Sequence, residues 1–219
     1  MIMKKNIIEF FNSSELVDYK KSIQLMERRV ENIKKKKQSE LLWFLEHPSI
    51  YTAGTSSKDK DLLNDNLFPV IKTNRGGQFT YHGPGQRIAY IMLNVRDREY
   101  NVKSFIRLLE QWIMNSLHDM GIKSFLIKGK VGIWVRNEEK IASLGLRIRK
   151  GISFHGVSLN INPDLDHFSG IIPCGNENSG VTSIEKIGLD ISKKEIDNIL
   201  ISNFSKVFKI DVKLTQTLS

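Results

Sequence analysis

The stretch FLIKGKVGIWVRNEEKIASLGLRIRKGISFHGVSLNI, residues 125–161, decides the fold class. Phe125–Ile127, Val131–Val135, Ile141–Ile148 and Ser153–Ile161 follow one another as strand-like pieces, with no helical spacing between them. In the third piece Ala142, Leu144, Leu146 and Ile148 share one face. Ile141, Ser143, Gly145 and Arg147 share the other, which is the two-residue period of a pleated strand. Strands that cluster in this way, and do not alternate strictly with helices, point to an α+β domain.

Upstream, Val102, Phe105, Ile106, Leu109, Trp112, Ile113, Leu117 and Met120 mark an amphipathic helix that Gly121 ends. Ile88–Leu93 and Leu41–Leu45 suit buried strands, the latter stopped by His47-Pro48, and Val70–Thr73 suits a further strand. Residues 54–66 (GTSSKDKDLLNDN) are polar and turn-rich, which predicts a loop. Ser13-Ser14-Glu15 predicts the start of a first helix, because Leu16, Tyr19, Ile23, Met26, Val30 and Ile33 then recur in steps of three and four. A last helix is predicted over Ser192–Phe208, bearing Ile196, Leu200, Phe204 and Val207. No repeat, low-complexity linker or composition break divides the chain, so residues 1–219 are expected to form a single domain.

The chain carries 33 Lys and Arg against 24 Asp and Glu, a net charge of +9 that favours an anionic partner without choosing one. Part of the excess, Lys34–Lys37, reads as a solvated helix end complementing the macrodipole. A single cysteine excludes an intramolecular disulfide, a CxxC redox pair and a multi-cysteine zinc site, and it suits a reducing compartment. There is no signal-peptide pattern and no apolar run long enough for a membrane span, so the expectation is a cytoplasmic protein that engages no membrane.

Chemistry concentrates in a few places. The segment RGGQFTYHGPGQ, residues 75–86, has four glycines in twelve residues, too dense for the interior of a strand or helix. It matches neither a Walker loop nor a GxGxxG turn, so it reads either as backbone held close to a ligand or as an ordinary hairpin loop. Arg75, Gln78 and His82 are its polar handles. Cys174 sits in a Pro/Gly turn, IIPCG, followed by a polar loop. A lone cysteine is more often a small buried hydrophobe than a nucleophile. If it is a nucleophile it needs a neighbouring cation or base to form the thiolate, and His82, His155, His167 and many lysines are candidates. Spacing alone does not choose among them. Lys140 reads by itself as an exposed lysine at a strand start, His47, His118 and His167 read as structural histidines, and His155 reads either as a structural histidine or as a functional one.

Taken together, these segments resemble the lipoyl(octanoyl) transferases of the biotin/lipoate protein ligase superfamily. The matching pieces are His47-Pro48 with Tyr51-Thr52-x-Gly54, RGGQFTYHGPGQ at 75–86, KIASLGLR at 140–147, FHGVSLNI at 154–161, IIPCG at 171–175 and GVTSI at 180–184. They stand in the family's order over roughly two-thirds of the chain. Val157 and Ser158 depart from the leucine and alanine common there, which touches the shape of the chain pocket and leaves the Cys/Lys pair intact.

The resemblance implies a biotin/lipoate ligase-like fold of mixed β-sheets packed with helices. It also implies an acyltransferase of lipoate biosynthesis that moves an octanoyl group from octanoyl-acyl carrier protein to a lysine of lipoyl domains. Those acceptors are the lipoyl domains of 2-oxoacid dehydrogenase complexes and the glycine cleavage H protein. By position, Cys174 is the implied nucleophile and Lys140 the group that lowers its pKa and then acts as acid and base. Arg75, Gly76, Gly77, Gln78, Phe79, Thr80, Tyr81 and His82 are implied to surround the acyl group, with Ser143, Leu144, Gly145, Gly156, Val157 and Ser158. Thioester-to-amide transfer runs downhill, so no nucleotide, other cofactor or metal is expected. Backbone N–H groups near Cys174 and at a turn over 143–145 are expected to hold the oxyanion. Three other readings remain: an ATP-dependent lipoate or biotin ligase of the same superfamily, a nucleic-acid-binding module, for which no recognised motif is present, and an enzyme moving acyl groups between carrier domains.

Overall fold

A computed structural model describes residues 7–172 and 180–218. Eleven strands form two sheets: β1 (Ile7–Asn12), β2 (Leu41–Leu45), β3 (Ile50–Ala53), β4 (Val70–Lys72), β5 (Phe79–His82), β6 (Gln86–Met92), β7 (Phe125–Ile127), β8 (Lys130–Val135), β9 (Glu139–Arg149), β10 (Ile152–Asn160) and β11 (Asp211–Leu214). Among the described residues three α-helices accompany them: α1 (Tyr19–Lys34), α2 (Val102–Asp119) and α3 (Lys193–Phe208). The large sheet has the order β11-β1-β2-β6-β10-β9-β8-β7, and the small one β4-β3-β5. Both are mixed: β1 runs parallel to β2 and β11, and β3 parallel to β4, while the remaining pairs are antiparallel. This is the α+β architecture that residues 125–161 predict.

Helices cover both faces of the large sheet, which explains why β2 and β6 are buried along their whole length. Leu42 and Phe44 of β2, with Ala89 and Ile91 of β6, face α2 and α3. Leu41, Trp43 and Leu45, with Ile88, Tyr90 and Met92, point the other way and meet Met26, Val30 and Ile33 of α1. The α2–α3 pair is locked by Trp112, whose indole N–H donates to Leu200 O at 2.7 Å and whose ring meets Phe204 edge-on. An Arg87–Asp197 ion pair (Nε–Oδ1 2.8 Å) ties α3 to β6. The small sheet packs around Tyr51, Phe79, Tyr81, Phe168 and Ile171.

The structure departs from the sequence expectations in four places. The first helix starts at Tyr19, capped by Asp18, whose carboxylate accepts from Lys21 N at 2.8 Å. Residues 13–17 instead continue alongside β2, with Ser13 N donating to Phe44 O and Val17 N to Glu46 O. The glycine-rich segment contains a strand, β5, because its glycines flank Phe79–His82 and do not interrupt it. The strands β1, β3 and β11 carry no local signal strong enough to predict. Residues 143–145 lie in mid-strand β9, paired with Gly156–Ser158 of β10. Lys34–Lys37 are exposed at the C-terminus of α1, as a solvated helix end should be. Among the described residues, no helix is long and apolar enough to cross a membrane.

Candidate active site

A cleft opens on the α1 face of the large sheet. Its floor is the middle of β6, β9 and β10, and its walls are the glycine-rich segment and Tyr19 at the start of α1. Arg75, Gly77, Gln78, Phe79, Thr80 and His82 border it on one side. From the sheet come Ser143, Leu144 and Gly145 of β9 and Gly156, Val157 and Ser158 of β10. Two predicted residues stand apart. Gly76 turns its N–H into Leu146 O at 3.0 Å, fastening the segment to β9. Tyr81 points into the aromatic cluster of the small sheet, where its hydroxyl meets Ser49 Oγ at 2.9 Å and His167 Nδ1 at 2.8 Å.

The Arg75 guanidinium is buried and largely engaged by the protein itself. Nη2 donates to Thr52 O at 2.7 Å and to Gln78 O at 2.9 Å, so the side chain clamps the glycine-rich segment onto β3. Two glycines make this possible. A Cβ on Gly54 would lie 2.2 Å from Gly77 O, and one on Gly145 would lie 3.0 Å from the Arg75 Cδ. Arg75 therefore shapes the wall and lends the cleft its positive charge.

His82 and His155, with Tyr19 and Tyr90, line one end of the cleft, and a third buried histidine, His47, packs against His82 and Tyr90. His47 Nδ1–H donates to Val17 O at 2.5 Å, which leaves Nε2 to accept from the Tyr90 hydroxyl at 2.7 Å. Burial holds its pKa down to about 4, against the opposing pull of the Val17 carbonyl. Burial also pushes His82 well below its ordinary value, with His47 adding to the effect. His155 is lowered to about 3 by burial and then by the Arg75 and Arg147 charges. Burial raises the Tyr19 and Tyr90 hydroxyls in turn. At neutral pH these histidines and tyrosines carry no charge, and this end of the cleft is aromatic. It suits an alkyl chain better than an ion.

Lys140 lies at the opposite end. Its side chain is buried, with Nζ 4.7 Å from the centre of the Trp134 ring, a desolvated cation–π contact. A Cβ on Gly132 would come within 2.9 Å of the Lys140 Cε, so that glycine makes room for the lysine stem. Cys174 lies outside the described residues; the chain after its segment is anchored beside Lys140, and the chain before it at Asp61. After it, Gly180 O accepts from Lys140 N at 2.9 Å and Thr182 N donates to Lys140 O at 3.0 Å. Before it, Ile172 N donates to Asp61 O at 2.8 Å, and Ile171 belongs to the same apolar cluster on which Val181 packs.

A hydrogen-bonded chain joins the two ends. His82 Nδ1–H donates to Gln86 Oε1 at 2.7 Å, Gln86 Nε2 to Asn160 Oδ1 at 2.9 Å, and Asn160 Nδ2 to Thr182 O at 2.9 Å. Sequence reading passed over Gln86, Asn160 and Thr182 as individual site residues. It also passed over Tyr19 and Tyr90, and it left His155 between a structural and a functional role. Gln86, Asn160, Thr182 and His155 all fall within the segments that carry the resemblance, and that was the available signal. Tyr19 and Tyr90 read only as core positions. Among the described residues, no three His, Cys, Asp or Glu side chains converge to hold a metal ion.

Residues 18–205 match the model of the lipoyl protein ligase A/B catalytic domain. An octanoyltransferase of Ehrlichia chaffeensis is 47% identical over 210 residues, covering 94% of this chain and 98% of its own. One from Bartonella tribocorum is 48% identical over 213 residues, covering 92% and 87%. Among solved structures, the bi-partite lipoate protein ligase of Thermoplasma acidophilum superposes with a TM-score of 0.72 at 17% identity, over 97% of this chain and 89% of that one. The last comparison speaks to the fold alone.

Proposed function

The chain belongs to the lipoyl protein ligase A/B catalytic-domain family, and from that premise we propose that it transfers octanoyl groups from octanoyl-acyl carrier protein to a lysine of lipoyl domains through a Cys174 thioester. The acceptors in this reading are the lipoyl domains of 2-oxoacid dehydrogenase complexes and the glycine cleavage H protein. The whole chain, 1–219, works as one catalytic domain in the reducing environment of the cytoplasm.

One observation carries the reading. A buried lysine stands at the mouth of a slot whose far end is aromatic, and its backbone is hydrogen-bonded to Gly180, six positions beyond Cys174. In the first half-reaction the Cys174 thiolate attacks the donor thioester carbonyl. The carrier's thiolate leaves and takes a proton from the Lys140 ammonium, so the acyl-enzyme forms beside a neutral amine. In the second, the acceptor lysine attacks the Cys174 thioester, Lys140 accepts the proton released from that amine, and Cys174 departs again as a thiolate. The cycle closes with the amide formed and Lys140 charged. No nucleotide enters, because the donor thioester already supplies the free energy. The two protein substrates visit in turn, which requires ping-pong kinetics.

The test is incubation with octanoyl-acyl carrier protein in the absence of ATP, followed by intact-mass measurement and peptide mapping. The expected result is an octanoyl adduct on Cys174 that disappears when apo-lipoyl domain is added. Cys174→Ser should form no thioester. Absence of any adduct, together with ATP-dependent formation of an acyl-adenylate, would replace this reading with that of a ligase.

A further inference from the structure

The far end of the cleft is closed by the Tyr19 and His155 side chains, and behind them lies a second cavity. That cavity is walled by the same two residues and, beyond them, by Ile23, Ile71 and Phe154 together with charged side chains, Arg147 and Arg149 among them. His155 reaches its place by an unusual backbone route. Its φ is +65°, in the left-handed region that residues other than glycine seldom use, in the middle of β10. Neighbouring residues of a regular strand point to opposite faces. Here the turned backbone brings His155 onto the face of Phe154, with ring centres 4.5 Å apart at 88°. A conformation of this kind persists only where the surroundings hold it, and it gathers at functional sites.

The dimensions suit an acyl chain. Ser143, three residues along β9 from Lys140, pairs with Ser158, and Leu146 pairs with His155 three residues farther along. At the usual strand rise that interval is about 10 Å, close to the reach of an extended octanoyl chain. Another apolar pocket borders the cleft, against Phe105 and Ile106 of α2. It lies across β9, and the Gly76 N–H bond to Leu146 O closes the glycine-rich segment onto that strand. The second cavity, by contrast, continues the line of the β9–β10 ladder.

We infer that His155, with Tyr19 beside it, is the stop at the end of the acyl slot, and that its position sets the length of chain the enzyme accepts. The inference rests on the acyl-transfer reading of the cleft and adds a specificity-determining residue to it. The distal methyl end of the chain packs against the neutral imidazole. Removing the ring joins the slot to the space bordered by Ile23 and Ile71, so longer chains then fit.

The experiment compares octanoyl- and dodecanoyl-acyl carrier protein as donors, with a lipoyl domain as acceptor. Glycine is the substitution best suited to φ +65°, and asparagine also tolerates that backbone, so His155→Gly and His155→Asn are both measured, with thermal melting to verify folding. The dodecanoyl-to-octanoyl ratio of kcat/KM is expected to rise by at least about tenfold in His155→Gly, and by up to a few hundredfold if all four extra methylenes find room, since each contributes roughly fourfold. Filling the second cavity with Ile71→Phe in the His155→Gly background should return the ratio toward that of the parent enzyme. An unchanged ratio in folded, active variants overturns the stop and leaves octanoyl transfer standing. If the parent enzyme transfers neither chain, the acyl reading of the cleft falls, and the stop falls with it.

Discussion

Lys140 shows how little a single position reveals in sequence. As the first residue of KIASLGLR it reads as a solvent-exposed lysine, yet it is only 4% exposed, with its ammonium held over Trp134. An ammonium in that setting loses most of its water, so an anion within reach is stabilised far more than at the surface. If Cys174 is that anion, Lys140→Ala lowers its thiolate fraction at neutral pH. Iodoacetamide alkylation of Cys174 near pH 7 should then slow by tenfold or more, on the order of one pKa unit of lost stabilisation. An alkylation-versus-pH profile identical to that of the parent enzyme would remove Lys140 from this role. His155 is the counterpart among the histidines. The FHG segment was visible, but its left-handed backbone and its place at the end of the slot were not.

At the scale of elements, β10 forms the floor of the cleft and imposes the tightest local requirement. Gly156 pairs with Gly145 on one side and Tyr90 on the other, and a Cβ at Gly156 would stand 1.9 Å from Ala89 O. Gly156→Ala must therefore push β6 and β10 apart, at a cost of about 1–3 kcal/mol or more. The expected outcome is a lower denaturant midpoint together with weakened octanoyl transfer, checked by urea unfolding and a transfer assay. A midpoint equal to that of the parent protein would show that the strands can separate freely. Elements with strong local periods were legible. The apolar stripe of α2 and its Gly121 stop, the Ser192 cap of α3 and the alternation in β9 all stand where the spacing puts them. The start of α1 was not, because Ser13 and Ser14 have cap chemistry while their backbone extends along β2. Parallel pairing of β1 with β11 joins segments about 200 residues apart, and no local pattern announces it.

At the scale of the whole molecule, three histidines buried without charge make the fold sensitive to acid. His47 takes up a proton near pH 6.5 when unfolded and only near pH 4 when folded. Its contribution is fully present above pH 6.5 and is lost as the pH falls toward 4, because the unfolded chain binds protons that the folded one refuses. For His47 alone the loss at pH 5 is about 2 kcal/mol. His82 and His155 shift in the same direction. The melting temperature should therefore drop by roughly 5 °C or more between pH 7.5 and pH 5, and a flat profile over that range would contradict the buried, neutral state of these rings. By itself the sequence determined the fold class, the main helices, most strands of the large sheet and the segments that carry the family resemblance. It could do so because hydrophobic period, glycine placement and motif order are written in neighbouring residues. Only the tertiary structure decided which of those residues share a space. It brought the backbone of Lys140 to Gly180, turned Tyr81 out of the cleft while bringing in Tyr19 and Tyr90, and set His155 across the end of the slot. Each of these depends on strand register and on packing between segments distant in the chain, and long-range packing leaves no local trace.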